Sequence, residues 1–173
     1  MIIFNKRKHF EKVSCDLLNM ARNDVSRLNV VLTSIGLKSH IEADKDKFVI
    51  VTWLHLLFFQ EICLRKKYNE KYNNEVDISI DYMIDRIAER FNYKAEKLTD
   101  VYLVFRKQLD NLSDDKICAE VGLFYAVAFH YLHNFLGEYD FEEFGIYDDR
   151  VEYTLANFFQ QSMQDNLNYL SIT

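Results

Sequence analysis

The sequence predicts an all-α bundle of about six helices that forms one domain over residues 1–173. The chain has no proline and only four glycines, two residue types on which turns, hairpins and strand ends usually depend. Hydrophobic residues recur at steps of three and four, and alternation at period two is nearly absent. Because 49% of the residues are hydrophobic, the chain has enough apolar surface to bury one core.

The first two predicted helices differ in character. The first runs from about Lys6 to Gly36 with one apolar face, and a glycine suits its C-terminal cap. The second, at about 46–68, is apolar on nearly every side, which is typical of a helix surrounded by others. Its run 47–52 is rich in β-branched residues and also fits a short buried strand. We favour a helix there because the apolar run continues well past ordinary strand length.

Four further helices follow along the chain. The third covers about 79–92, and the fourth has an apolar face over 98–112. The fifth is predicted over about 114–136, because acidic residues at its start suit the helix dipole and a glycine follows its end. The last begins near 149, where the sequence resembles a capping box. We expect the bundle to pack around the two apolar helices at 46–68 and 114–136.

The charge is unevenly distributed and limits the class of partner. The chain has 21 basic and 27 acidic residues, for a formal net charge of -6. Residues 1–86 hold 14 Lys/Arg and 12 Asp/Glu (+2), whereas 87–173 hold 7 and 15 (-8). This balance argues against direct binding of nucleic acid or an anionic membrane surface. A basic protein partner is expected.

Several sequence features indicate a cytoplasmic protein. The N-terminal residues place apolar side chains before the charges, which is the wrong order for a signal peptide. The apolar segment 48–64 is interrupted by polar residues and is shorter than the roughly 20 residues that span a bilayer, so we expect no membrane span. Three cysteines, Cys15, Cys63 and Cys118, are widely separated and are expected to be reduced core residues.

Signals for catalysis or metal binding are weak. The four glycines cannot form a phosphate loop, and the sequence has no GxSxG, HExxH or CxxC motif. His130 and His133 lie three residues apart on one helix face, so His55 or Glu61 from the second helix would have to complete a metal site. No Glu-x-x-His pair of a di-iron centre is present. We therefore predict no metal, cofactor or catalytic residue, and expect His55 to be a hydrogen-bonded core histidine.

The most distinctive segment is 138–152, which interleaves acidic and aromatic residues. Aromatic side chains supply buried area in an interface, while surrounding acids steer a basic partner. The alternative is that these aromatics pack on the bundle and the acids are merely hydrated. The predicted partner-binding residues are Glu138, Tyr139, Asp140, Phe141, Glu142, Glu143, Phe144, Tyr147, Asp148, Asp149 and Glu152.

Two functions of different classes remain at this point. The leading hypothesis is a non-catalytic cytoplasmic interaction protein of the inhibitor, immunity or adaptor type, which binds a basic partner such as a nucleic-acid-binding protein or a toxin. The alternative is a helical metal- or ligand-binding protein or enzyme. It would have a pocket between the second and fifth helices that uses His55, Glu61, His130 and His133.

Overall fold

The computed structural model describes residues 2–68, 70–113, 122–137 and 150–173, and these residues form an all-α bundle. The predicted fold class is therefore confirmed. A short helix at Lys38–Ala43 was not expected, and a 3-10 turn at Glu70–Tyr72 precedes the helix Asn73–Phe91. The described helices are α1 (Ile2–Ser34), α2 (Lys38–Ala43), α3 (Lys45–Lys67), α4 (Asn73–Phe91), α5 (Ala95–Ser113), α6 (Leu123–Leu136) and α7 (Arg150–Ser171).

Helix α3 is the centre of the bundle, as its all-round apolar character predicts. The Asp44 side chain caps its N-terminus by accepting a hydrogen bond from the backbone N–H of Lys47 at 2.9 Å. Every residue from Val51 to Glu61 is buried, and α3 contacts all six other described helices. The run 47–52 is helical, so the alternative of a short strand is wrong.

By length and composition alone, α3 is also the one described helix that could cross a membrane. In this bundle, however, 72% of its most apolar window is buried inside the protein. Burial of that extent is what the core helix of a compact domain shows, because neighbouring helices cover the apolar surface that lipid would otherwise meet.

Helix α6 begins later than the predicted helix at 114–136. Gly122 has φ 86° and ψ 153°, a conformation outside the helical region that L-residues rarely adopt, and the regular helix starts at Leu123. Residues 114–121 lie outside the described part of the chain. Helix α6 packs against α3, α5 and α7, but Phe129 and His133 are exposed, so it is less enclosed than α3.

Hydrogen bonds between distant residues hold the long α1 helix against the rest of the bundle. The buried Gln60 amide on α3 donates to the Leu17 carbonyl at 2.7 Å. Asp24 on α1 accepts a hydrogen bond from the Ser162 hydroxyl on α7 at 2.6 Å. Because each of these buried polar atoms has a partner, the contacts stabilise the packing of α1 on α3 and α7.

Candidate functional site

The predicted partner-binding segment falls largely outside the described residues. Of its members, Glu152 is described, and it is buried, with 8% of its surface exposed, in the first turn of α7. The other predicted members, from Glu138 to Asp149, are not part of the description. The flanking helices α6 and α7 pack closely against each other and against α3. The segment is therefore connected at both ends to the core of the bundle.

His55 is a hydrogen-bonded core histidine, as the sequence predicts. Its Nδ1 donates to the Val51 carbonyl at 2.8 Å, and its Nε2 lies 3.2 Å from Nδ1 of His130. Burial lowers the pKa of His55 well below its ordinary value. Burial likewise lowers the pKa of His130 to about 4. Both imidazoles are consequently neutral at pH 7.

The ring proton of His130 decides how this pair interacts. His55 donates from Nδ1 to the Val51 carbonyl, so its neutral ring has a lone pair at Nε2. On His130, Nε2 lies 3.2 Å from Oε1 of Gln108 on α5, and Nδ2 of Asn134 lies 3.4 Å from Nδ1 and 3.3 Å from Nε2. A neutral His130 has one ring proton, so it donates either from Nδ1 to His55 or from Nε2 to the Gln108 oxygen. In the second case the lone pairs of His55 Nε2 and His130 Nδ1 face each other at 3.2 Å.

The structure brings together two of the four residues of the metal-binding alternative. His55 and His130 are in contact, whereas His133 is exposed on α6 and Glu61 forms a separate network. Among the described residues, no three His, Cys, Asp or Glu side chains are close enough to hold a metal ion. Thr52, one turn before His55 on the same helix, forms a 3.0 Å hydrogen bond with the Tyr131 hydroxyl.

Glu61 forms a charged network that joins α3 to α4 and α5. Its Oε1 accepts from Arg65 at 2.7 Å and from Arg106 at 2.9 Å, and its Oε2 accepts from the Tyr102 hydroxyl at 2.6 Å. Arg65 also pairs with Asp77 at 2.6 Å. The Glu61 side chain is only 4% exposed. Burial and the Glu61 charge raise the pKa of Tyr102, so the phenol remains a proton donor to the carboxylate.

The described cysteines have contrasting environments. Cys63 is buried, burial raises its thiol pKa to about 12, and its Sγ lies 3.7 Å from the Met163 carbonyl. It is a structural residue, as expected. Cys15 was expected in the core but is exposed, with its Sγ 3.2 Å from the Tyr82 hydroxyl. Cys118 lies outside the described residues.

A cleft of about 500 Å³ lies between α1 and α4 and was not predicted from the sequence. Its apolar lining includes Phe10, Ile78 and the Tyr82 ring, and its charged lining includes Glu11 and Glu75. The helices that form it are separated by two other helices in the chain. Hydrophobic spacing identifies the buried face of each helix but does not show where two exposed edges will meet.

Comparisons with known proteins do not assign this arrangement to a family. No family model, curated protein or solved structure matches the chain. A function must therefore be argued from the charges, contacts and cavities of the chain itself.

Proposed function

We propose that the chain is a non-catalytic cytoplasmic interaction protein that binds a basic partner protein through the acidic and aromatic segment 138–152. The observation that carries this proposal is the composition of that segment. Its 15 residues contain seven acids against one basic residue, Arg150, together with four aromatic residues. The net charge of -6 in this short stretch equals the net charge of the whole chain.

The positions of α6 and α7 support this proposal. Recognition loops work best when a rigid scaffold holds their ends, because less conformational entropy is then lost on binding. Leu136 and Arg150 belong to helices that pack on each other and on the central helix. The helices at both ends of the segment are therefore part of the packed core of the domain.

The contacts of the buried polar residues also indicate that the best catalytic candidates stabilise the fold. Glu61 is neutralised by two arginines, and the ring nitrogens of the His55–His130 pair contact each other, the Val51 carbonyl and the Gln108 side chain. Both networks join helices. Groups that satisfy each other in this way stabilise packing, which leaves the charged surface as the more distinctive feature for function.

Charge complementarity supplies the mechanism. The acids would accelerate encounter with a positively charged partner, and the four rings would provide apolar contact area after docking. Such a surface suits an inhibitor, immunity protein or adaptor that covers the positive site of a nucleic-acid-binding protein or toxin. A reducing cytoplasm suits the free thiols of Cys15 and Cys63.

The test is a binding experiment with matched charge reversals. The purified chain serves as bait, and captured proteins are identified by mass spectrometry. We expect one basic protein to be enriched, and Lys substitutions at Glu142, Glu143, Asp148 and Asp149 to abolish its capture. Four reversals at exposed acids elsewhere, Glu42, Glu70, Glu96 and Asp100, should preserve capture. Absence of an enriched basic protein, or capture that survives the segment reversals, would contradict the proposal.

One observation keeps the ligand- or metal-binding alternative testable, namely the 3.2 Å approach of His55 Nε2 to His130 Nδ1. Two histidines that ligate one tetrahedral metal also have nitrogens a little over ~3 Å apart, given Zn–N distances of about 2.0–2.1 Å. Metal analysis of the purified chain and of His130→Ala decides this point. Stoichiometric metal in the wild type that is lost in the variant would favour the alternative over our proposal.

A further inference from the structure

The cleft between α1 and α4 is of a size that holds small molecules. Its volume of about 500 Å³ falls within the usual range of ligand pockets, roughly 300–1,000 Å³. On α4 its lining extends from Asn74 to Tyr82, a distance of about 12 Å along the helix at ~1.5 Å per residue. None of the described residues that line it belongs to the segment 138–152, so we argue binding in the cleft independently of the proposed function.

The chemistry of the cleft favours an apolar ligand body. Phe10, Ile78 and the Tyr82 ring line it, and Ile78 remains 52% exposed although it is a large aliphatic residue. The two lining serine hydroxyls are already used within their own helices, and the Tyr82 hydroxyl lies 3.2 Å from the Cys15 thiol. Ser14 donates to the Phe10 carbonyl at 2.8 Å, and Ser79 donates to the Glu75 carbonyl at 3.0 Å. A ligand would therefore meet mainly apolar surface here.

The charged residues that line the cleft determine whether a cationic or an anionic ligand is favoured. Arg7 and Glu11 pair with each other at 3.0 Å, so their charges cancel. Glu75 is partly buried, lines the same cleft and forms no side-chain hydrogen bond or ion pair with a described residue. It stands in the first turn of α4, where the helix dipole favours a negative charge. The lining thus has a net charge of -1 next to apolar surface, which a cation would complement.

The Tyr82 ring contributes apolar surface rather than a site for the ligand's charge. The Arg86 guanidinium already lies 5.1 Å from the Tyr82 ring centroid, and Arg86 pairs with Glu89 at 2.7 Å. Because a ring attracts a positive charge to its face and this ring already has one beside it, the ammonium group of a ligand is expected at Glu75.

We propose that the α1–α4 cleft binds a small organic cation, an ammonium group on an aromatic or aliphatic body. The ammonium lies against Glu75, and the body covers Phe10 and Ile78. At ~30 Å³ per non-hydrogen atom, the value for liquid water, the cleft holds a ligand of at most about 17 such atoms. A monoamine of about a dozen non-hydrogen atoms is within this limit, including the chain that connects its ammonium group to its apolar end.

The proposal is tested with 4-phenylbutylammonium and its anionic counterpart 4-phenylbutanoate. Calorimetric titration should give a dissociation constant below about 1 mM for the cation and at least about tenfold weaker binding for the anion. Amide resonances of α1 and α4 residues around the cleft should shift during the titration. Glu75→Gln should weaken binding of the cation by about tenfold, because it removes the charge and keeps the shape of the side chain.

Asp85→Asn is the matched control, since it removes an exposed acid from the same helix outside the cleft lining. It should leave the affinity for the cation within about twofold. Glu75→Gln should lower the unfolding temperature by no more than about 4 °C, because it loses only the interaction of its charge with the helix dipole. The proposal is overturned by undetectable binding at several millimolar, by equal affinity for the two probes, or by unchanged affinity in Glu75→Gln. Charge reversals in 138–152 should not change binding of the cation. The cation titration and the partner-capture experiment can therefore fail independently of each other.

Discussion

Removing the buried charge of Glu61 should destabilise the bundle substantially. Glu61→Gln retains the size of the side chain and an oxygen for the Tyr102 hydroxyl, but it deprives Arg65 and Arg106 of their shared carboxylate. Breaking a buried ion pair on one side costs about 3–5 kcal/mol. Both arginines are about one-third exposed, and each retains a second carboxylate, Asp77 or Asp110. Solvent screening therefore reduces the expected loss to about 2–3 kcal/mol.

The two arginines should be coupled through the same carboxylate. Arg65→Gln or Arg106→Gln alone leaves Glu61 with one arginine and Tyr102, so each should cost about 1–1.5 kcal/mol. The double variant leaves a carboxylate that is 4% exposed without a cation. Its loss should exceed the sum of the single losses by about 1 kcal/mol or more.

Urea unfolding of the wild type and these variants near neutral pH measures the free energies. Lys38→Gln is the control, because its pair with Glu42 is exposed on both sides (66% and 58%) and should contribute less than about 0.5 kcal/mol. A loss below about 0.5 kcal/mol in Glu61→Gln would refute the reasoning. So would strictly additive losses for the two arginine variants.

Three further predictions concern titration, thiol reactivity and backbone conformation. The pKa values of His55 and His130 are lowered in the fold, so stability should fall as pH drops from about 6.5 towards 4, since the unfolded chain binds more protons there. Urea midpoints across this range should show a smaller decline for His130→Gln than for the wild type, and parallel curves would contradict the assignment. Peptide mapping after maleimide treatment at pH 8 should find Cys15 labelled well before Cys63, which is buried with a pKa of about 12; equal rates would contradict this. Gly122→Ala should lower the unfolding free energy by about 1–2 kcal/mol, because φ is 86° there, and an unchanged value would contradict the backbone conformation.

The helices predicted best are those whose signals lie within a single stretch of sequence. The all-round apolar character of 46–68 predicted a central helix, because a helix without a polar face must be covered by neighbours. The C-terminal end of α4 near Asn92 was likewise predicted correctly, and Asn92 adopts the left-handed conformation with φ 55°. The break at Gly122 inside the predicted helix 114–136 was missed, since an isolated glycine in an apolar run does not reveal that its φ is positive.

The polar contacts were harder to predict because their partners are distant in the chain. Glu61 and Arg65 are four residues apart and lie on one helix face, but Arg106 reaches the same carboxylate from α5. For His55 the sequence indicated that a partner must exist, yet the partner is His130 on α6. The α1–α4 cleft depends on how two helices approach each other, which periodicity along either helix does not encode.

The central claim, recognition of a basic protein through 138–152, is tested most directly by the association rate constant with the captured partner. Our account predicts a fall of at least about tenfold between about 50 mM and 500 mM salt, since exposed charges are screened over that range. The Lys reversals at Glu142, Glu143, Asp148 and Asp149 should slow association at low salt to the high-salt rate or below it. A rate constant unaffected by both salt and these reversals would contradict the account.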